Sequence, residues 1–295
     1  MAAPMKLKQA ELSNVGLIKD LVESPGWAAQ QKMDGIRILF ELNMSTDSVA
    51  MWNSSGAMLK SSTALKAVGP VLNVMKTVTT CWSKTQTGTY WLDGELLPAT
   101  GEFWVFDCVI DGGVSTRYQD RAGSAATLVL SIHTLGPLLP IPSYELVKTL
   151  PLYTDPLEKI QLVNRVLGAG AEGVVFKRLD KPYDQGRRVD HQLKAKAWRS
   201  VDVVAGKPGA TGKNSVELNM ADSRGLMTPV GAATLNGREH LMIREGDVLE
   251  VKYLYATAGH QLYGPPDIMR KRDDKAPWEC TMGQLVYTTR EVIKL

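Results

Sequence analysis

Two periods of hydrophobic and polar residues run along this chain, and they predict different elements. Residues 13–23 have the pattern of a short helix, which Ser24-Pro25-Gly26 would end. Strand and turn patterns follow from Arg37 to Asp107, beginning with the apolar run at residues 36–40. The first part of the chain is therefore predicted to be mostly strands, preceded by one helix.

A second helix is predicted after Asp155-Pro156-Leu157-Glu158. Asp is a good N-cap, Pro suits the first turn, and Glu stands at the capping-box position. Apolar residues recur at positions 157, 160, 163, 166 and 167, and Gly168 would end the helix. Residues 172–177 then have the pattern of a strand.

The pattern changes after about Ser200, where short strands separated by Gly, Asn and Asp turns replace helical signals. In residues 248–255, Leu249, Val251, Tyr253 and Tyr255 alternate with more polar neighbours. About 95 such residues suit a small β-barrel. We therefore predict an α+β domain at residues 1–199 and an all-β domain at residues 200–295.

Composition is that of an ordinary globular protein, with 295 residues, 44% hydrophobic and 22% charged. No run approaches the roughly 20 apolar residues of a membrane span, and the N-terminus has no apolar signal-peptide core. Three separated cysteines fit a reducing compartment. We expect a cytoplasmic monomer without membrane contact. The net charge of +3 permits a nucleic-acid partner without requiring one.

The segment Lys32-Met33-Asp34-Gly35-Ile36-Arg37 is the strongest chemical signal. Asp-Gly favours a tight turn that holds the lysine amine at the floor of a pocket, and the strand that follows would fix Arg37 beside it. An amine among phosphate-binding cations can attack phosphorus. An exposed turn leading into a strand is the plainer alternative.

Further charged residues lie at the ends of predicted strands. Asp93-Gly94 is predicted to break a strand and leave Glu95 projecting, with Asp93 as a turn former, and a second strand ends at Phe106-Asp107. Lys194 and Lys196 alternate with apolar residues, so both should face one side. Two such lysines are costly together unless an anion neutralises them, although a solvated strand face is the favoured explanation of the pair by itself.

Taken together, six motifs resemble the ATP-dependent DNA ligases of the covalent nucleotidyltransferase superfamily, and they occur in that family's order. The motifs are Lys32-x-Asp34-Gly35-x-Arg37, Asp93-Gly94-Glu95, Phe106-Asp107, Glu172-Gly173-Val174-Val175-x-Lys177, Lys194-x-Lys196 and Arg272-Asp273-Asp274-Lys275. The resemblance covers about residues 25–280. It implies a nucleotidyltransferase domain with antiparallel sheets and flanking helices, followed by an OB-fold barrel.

The resemblance implies a three-step reaction with ATP, Mg²⁺ (or Mn²⁺) and nicked double-stranded DNA. Lys32 takes AMP from ATP, AMP passes to the 5′-phosphate at the nick, and the 3′-hydroxyl displaces it. The implied catalytic residues are Lys32, Lys194 and Lys196. The implied nucleotide-binding residues are Gln31, Arg37, Glu95, Phe106, Val174, Lys177, Lys194, Lys196, Arg272, Asp274 and Lys275.

In this scheme Phe106 stacks on adenine, Glu95 contacts the ribose, and Arg37 contacts the ribose or the 5′ end at the nick. The implied metal ligands are Glu172, Asp34 and Glu95, because Mg²⁺ prefers carboxylate oxygen. The motif that ends at Lys275 would swing in with the OB domain to orient pyrophosphate.

One feature departs from the family pattern. The stretch where the family carries an arginine that grips the nick has none here, at residues 52–56, and Lys60 could substitute.

The glycine-rich stretch 206–214 has the wrong spacing for a P-loop and lacks the required Ser or Thr. It is interpreted as a basic loop that could contact DNA phosphates through Lys207 and Lys213. Together with Arg37 and Lys60, these lysines are the expected DNA contacts.

Other functions remain open from the sequence. An RNA ligase or an mRNA-capping nucleotidyltransferase would use similar motifs, and ATP against GTP would separate the capping enzyme. An NAD-dependent ligase is not expected, since only 31 residues precede Lys32. A non-catalytic OB-type DNA-binding protein gives no reason for Lys32, Glu95 and Glu172 to occur together.

Overall fold

The computed structural model describes residues 4–59, 62–112, 116–138, 143–209 and 214–288. Its helices are α1 (Val15–Glu23), α2 (Ser62–Trp82), α3 (Tyr118–Leu135) and α4 (Pro156–Gly168). Its strands are β1 (Lys6–Glu11), β2 (Trp27–Lys32), β3 (Ile36–Asn43), β4 (Ser48–Asn53), β5 (Thr89–Leu96), β6 (Phe103–Ile110), β7 (Val147–Thr149), β8 (Gly173–Arg178), β9 (Arg188–Lys196), β10 (Arg199–Ala205), β11 (Ser215–Ala221), β12 (Met227–Thr234), β13 (Val248–Tyr253), β14 (Tyr255–Ala256), β15 (Leu262–Tyr263) and β16 (Asp267–Lys271). The predicted α+β class is confirmed.

A four-stranded sheet in the order β1-β9-β8-β2 carries the lysine motif. Strand β8 pairs antiparallel with both neighbours, and the register aligns Lys32 with Gly173 and Gly173 with Lys196. Helices α1 and α4 pack on this sheet through a shared apolar core. The pairing therefore brings three sequence-distant motifs into one row across the sheet.

A five-stranded sheet in the order β4-β3-β5-β6-β7 supplies the opposite wall of the site. Strands β3 and β5 pair antiparallel with Arg37 opposite Glu95. Helices α2 and α3 bury the other face of this sheet in the largest apolar cluster of the described residues. The turn at Asp34-Gly35 joins the two sheets, since β2 ends at Lys32 and β3 begins at Ile36.

The interval between Arg37 and Asp107 differs from the prediction, because it contains the 21-residue helix α2 as well as strands. The helix buries Val68, Val71, Val74, Met75 and Val78, which follow helical spacing. Its many β-branched residues and the internal Pro70 gave the segment the local character of a strand. Tertiary packing overrides that local preference.

The two helices predicted from the sequence are both present. The first helix is present as α1, and α4 begins as predicted, with the Asp155 carboxylate accepting hydrogen bonds from the backbone N–H groups of Leu157 and Glu158. The break predicted at Asp93-Gly94 is wrong. Strand β5 continues through both residues and carries only a β-bulge there.

Beyond residue 199 the described chain forms an antiparallel sheet in the order β12-β11-β10-β13-β16, with β14-β15 as a separate hairpin. Hydrogen bonds do not close this sheet into a barrel among the described strands. Arg238 partly bridges the open side, since it donates to the carbonyl oxygen of Ile268 and to Asp267. The sheet has its own apolar core, which draws on residues from 201 onward. The domain division near residue 199 stays a proposal that this separate core supports.

No helix in the parts of the chain that the structure describes is long and apolar enough to cross a membrane.

Candidate active site

Glu172 lies between two lysines of the predicted motifs. The Lys32 Nζ atom is 2.5 Å from Glu172 Oε2, and the Lys196 Nζ atom is 3.2 Å from Glu172 Oε1. The carboxylate is almost fully buried, whereas Lys32 keeps about a fifth of its side chain exposed. The row formed by β2, β8 and β9 thus places one anion against two cations at the edge of an open cavity.

The cavity beside Lys32 has a volume of about 450 Å³. The predicted site residues among those that line it are Gln31, Lys32, Arg37, Glu95, Phe106, Lys177 and Lys194. Sequence reasoning missed further residues of the lining, namely Lys6, Leu7, Gln30, Ser54, Val175, Arg188 and Gln192. Six of the lining side chains are cationic and only Glu95 is acidic, so the cavity is suited to an anionic ligand.

Burial changes the charge balance of this cavity. It raises the pKa of Glu95 to about 7, although the nearby Lys32 and Arg37 pull in the opposite direction. Burial also lowers the pKa of Lys194, and repulsion from Lys196 and Lys32 lowers it further. A phosphate group beside Lys194 would offset the cost of keeping that lysine charged.

Lys177 is buried against two aromatic rings. Its Nζ atom lies 4.5 Å from the ring centroids of both Phe106 and Tyr118, and it donates to the Tyr118 hydroxyl and the Phe106 carbonyl oxygen. Burial lowers the pKa of Lys177 to about 8, opposed by Asp107 and Asp93. The same contacts fix the Phe106 ring at the cavity wall.

Arg37 is held by a buried ion pair that the sequence did not predict. Its guanidinium donates to both carboxylate oxygens of Asp93, at 2.8 and 2.6 Å, and to the carbonyl oxygen of Met5. The Tyr183 hydroxyl donates to the same carboxylate. Asp93 is thus a positioning residue for Arg37, and its interpretation as a turn former is wrong, because β5 runs straight through it.

Val174 was predicted to contact the nucleotide, but its side chain does not line the cavity. It is fully buried in the core under α1 and α4, and Val175 lines the cavity instead. Successive side chains of a strand point to opposite faces, so Val175 shares a face with Lys177 while Val174 shares one with Phe176. Of the two valines, Val175 is therefore the one on the cavity side of the strand.

The three predicted metal ligands do not form one cluster. Among the described residues, no group of three or more His, Cys, Asp or Glu side chains is placed to hold a metal ion. Glu172 is engaged by two lysines. The carboxylate of Asp34 accepts hydrogen bonds from the hydroxyls of Tyr255 and Tyr263. A metal role for all three residues together is therefore not supported by this arrangement.

The predicted motif at residues 272–275 lies outside the cavity. Arg272 donates to Asp274 and to Asp202, and Lys275 donates to Asp202 at 2.6 Å. The pKa of Asp274 falls to about 2 because Arg272 donates to its carboxylate. Asp202 on β10, which the sequence analysis did not select, therefore holds both cations of this motif on the C-terminal sheet.

Of the four predicted DNA contacts, the structure describes Arg37 and Lys207. Lys60 and Lys213 lie outside the described residues. Lys207 is exposed on the connection after β10 and does not line the cavity. Arg37 is in the cavity. Arg188, which the sequence analysis did not select, lies opposite Lys6 at the cavity wall.

Comparison with known proteins gives partial matches in sequence and nearly complete matches in structure. No family model matches the chain. A stretch of 120 residues, 39% of this chain, is 34% identical to the multifunctional non-homologous end joining protein LigD of Mycobacterium bovis, and the same holds for LigD of Mycobacterium tuberculosis. The match spans 14% of the length of those proteins.

Solved structures extend the likeness over the chain. The ligase domain of M. tuberculosis LigD matches 95% of this chain and 97% of its own, with a TM-score of 0.50 and 23% identity. The chain has the fold of a DNA ligase. A structure from work on Lig E DNA ligases matches 92% of this chain and all of its own, with a TM-score of 0.58 and 14% identity. The structure named Pmar-Lig_Pre matches 92% of this chain and 68% of its own, with a TM-score of 0.65 and 17% identity.

Proposed function

We propose that this protein is an ATP-dependent DNA ligase that seals nicks in duplex DNA through an adenylated Lys32. The observation that carries the proposal is the position of Lys32. Its amine contacts Glu172 at the edge of a cavity that also contains Phe106, Glu95 and Lys177. The DNA ligase fold of the chain supports the same function.

The first step requires the neutral amine of Lys32. Its nitrogen attacks the α-phosphorus of ATP, an N–P bond forms, and the bond from that phosphorus to the bridging oxygen breaks to release pyrophosphate. Glu172 Oε2, at 2.5 Å, is within reach to accept the amine proton. Lys194 and Lys177 on the cavity wall would neutralise phosphate charge.

The base and sugar would occupy the inner part of the cavity. Phe106 and Val175 line the cavity, so Phe106 would stack on adenine and Val175 would make the contact expected of Val174. Glu95 would accept a hydrogen bond from the ribose. Arg37 uses three of its five guanidinium N–H donors on Asp93 and Met5, which leaves two for a ribose or phosphate oxygen.

Glu172 and Glu95 are the two predicted ligands that would share a magnesium ion, and Glu172 would then exchange an ion pair with Lys32 or Lys196 for the metal. Mg²⁺ is usually held by one or two carboxylates together with substrate phosphates, and Glu172 and Glu95 can supply these oxygens. When bound, the metal would neutralise charge on the phosphates. Asp34 is engaged by two tyrosine hydroxyls, so we do not assign it to the metal in this conformation.

Duplex DNA would approach along β1 and β9. Lys6, Lys8, Arg187 and Arg188 are exposed side chains that form no ion pair among the residues described. Lys6 and Arg188 line the Lys32 cavity, and Lys8 and Arg187 line an adjoining groove that also contains Asp184 and Asp190. Such unpaired cations suit backbone phosphates. Lys60, Lys207 and Lys213 remain proposed DNA contacts.

The later steps follow at the same place. The 5′-phosphate oxygen at the nick attacks the phosphorus of lysyl-AMP, the N–P bond breaks, and a pyrophosphate-linked adenylate forms on the DNA. The 3′-hydroxyl oxygen then attacks the 5′-phosphorus, loses its proton, and releases AMP. A monomeric and cytoplasmic protein remains our expectation.

A sealing assay tests this function. The purified protein should join a nicked DNA duplex in the presence of Mg²⁺ and ATP, and should do so poorly or not at all with GTP or NAD. Sealing confined to nicked RNA would favour the RNA ligase alternative, and transfer of GMP would favour a capping-type enzyme. Binding of the duplex without any joining would favour the non-catalytic alternative.

A further inference from the structure

Two tyrosines of the C-terminal part of the chain contact the turn that carries Lys32. The Tyr255 and Tyr263 hydroxyls donate to opposite oxygens of the Asp34 carboxylate, the second at 3.2 Å. Asp34 is two residues from Lys32. The two aromatic rings are stacked, with centroids 4.6 Å apart and planes 11° apart, so they reach Asp34 as one unit.

The chemistry of these groups makes the contact strong. Burial, together with the neighbouring Asp34 carboxylate, raises the pKa of Tyr263 to about 12, so its hydroxyl remains a donor at neutral pH. Burial and the bond to Asp34 also raise the pKa of Tyr255. A hydrogen bond from a neutral donor to a carboxylate is stronger than one between neutral groups.

A second contact accompanies the first. Lys252 on β13 forms an ion pair with Glu11 on β1. Strand β13 leads directly to Tyr255, so Lys252 and the tyrosine pair hold the same end of the C-terminal sheet. Together they fix that end against the two elements that flank the Lys32 cavity.

Arg272 and Lys275 are held at a different place on this sheet. The Arg272 backbone N–H donates to the carbonyl oxygen of Val248, at the opposite end of β13 from Tyr255. Both cations turn toward Asp202, and neither lines the Lys32 cavity. To bring them to nucleotide phosphates, the C-terminal sheet must turn relative to the Asp34 turn.

We propose that Tyr255 and Tyr263 are positioning residues that dock the C-terminal sheet on Asp34, and that this contact opens when Arg272 and Lys275 move to the cavity. The docking itself follows from the geometry, whereas its effect on catalysis rests on the proposed function. The tyrosine pair then opposes adenylation of Lys32, because it stabilises an arrangement without the two cations at the phosphates.

Hydrogen–deuterium exchange tests the docking without nucleotide or DNA. In the Tyr255→Phe/Tyr263→Phe variant, both rings remain but both donors to Asp34 are lost. Peptides that span residues 33–36 and 254–264 should exchange about tenfold faster than in the wild type, because a bond to a charged group is worth at least that factor. Tyr287→Phe is the matched control, since that hydroxyl contacts His260 and Met282 instead. Unchanged exchange in the double variant would overturn the proposal.

Single-turnover adenylation tests the claim that docking opposes the adenylation of Lys32. The double variant should form lysyl-AMP up to tenfold faster than wild type, while a merely structural role predicts a slower rate. Faster exchange with unchanged or slower adenylation would overturn the claim that docking opposes this step. If the double variant unfolds, Tyr263→Phe alone gives the same test with a smaller expected change. A wild type that never forms lysyl-AMP would defeat the proposed function, and the exchange result would still decide the docking.

Discussion

At the residue scale, Lys177 is a proposed phosphate contact that packs against Phe106, the proposed adenine contact. Its amine packs on Phe106 and Tyr118, and burial lowers its pKa to about 8. A lysine that must be charged to bind a phosphate loses that ability as the pH rises through its pKa. The contribution of Lys177 is therefore complete well below pH 8, about half lost near pH 8, and lost as the pH rises further.

Binding of ATP should accordingly weaken at alkaline pH. Above pH 8 the KM for ATP in the adenylation step should rise toward tenfold per pH unit, because only the protonated Lys177 attracts phosphate. Initial rates between pH 6.5 and 9.5 would measure this. Lys177→Met should raise KM at all pH values and flatten this part of the profile. A wild-type KM that stays constant up to pH 9.5 would refute the assignment.

The ion pair of Arg37 and Asp93 is expected to matter for stability as well as for the site. Breaking a buried pair leaves one charge without compensation, so Asp93→Asn should cost about 3 kcal/mol in the free energy of unfolding. Urea unfolding of the variant would measure the cost. The control is Asp180→Asn, which removes an exposed partner of Arg178 and should leave stability unchanged. Equal effects of the two variants would contradict the buried role of Asp93.

At the scale of elements, strand β8 decides which valine touches the nucleotide. Val174→Ala removes buried core volume, so it should lower stability by about 2 kcal/mol and leave the KM for ATP nearly unchanged. Val175→Ala should raise that KM several-fold with little loss of stability, because its side chain lines the cavity. Unfolding and adenylation kinetics on both variants would decide. A reversed pattern would mean that the face assignment of β8 is wrong.

Sequence was informative where local chemistry determines structure. Asp155 caps α4 as predicted, because a side-chain oxygen next to free N–H groups needs no distant partner. The contacts of Asp93 and Asp202 depend on residues far away in the chain, so they could not be predicted from spacing. The apolar residues of α2 have helical spacing, but its β-branched residues and Pro70 disfavour a helix locally, so the sequence did not predict it.

At the scale of the whole molecule, the proposed reaction needs the C-terminal sheet in a second position. Asp202 holds Arg272 and Lys275 away from the cavity, and the tyrosine pair holds the sheet on Asp34. Adenylation would use the two cations on the phosphates of ATP, whereas sealing of an already adenylated nick would not. The two steps should therefore respond differently to substitutions in this motif.

Arg272→Ala should slow lysyl-AMP formation by about 100-fold, the usual scale for loss of one preorganised charge contact. Sealing of a pre-adenylated nick should change little. Rapid-quench measurements of the two steps would separate them. Arg270→Ala is the control, because this exposed neighbour pairs with Glu250 and should affect neither step. Equal losses in both steps would contradict a role limited to adenylation.

The central claim, that Lys32 is the nucleophile, is tested most directly by intact-mass measurement after incubation with ATP and Mg²⁺. Any bound AMP should first be removed with pyrophosphate. The account predicts that wild type gains the mass of one adenylyl group and that Lys32→Ala gains none. An unmodified wild type, or equal modification of Lys32→Ala, would contradict the account.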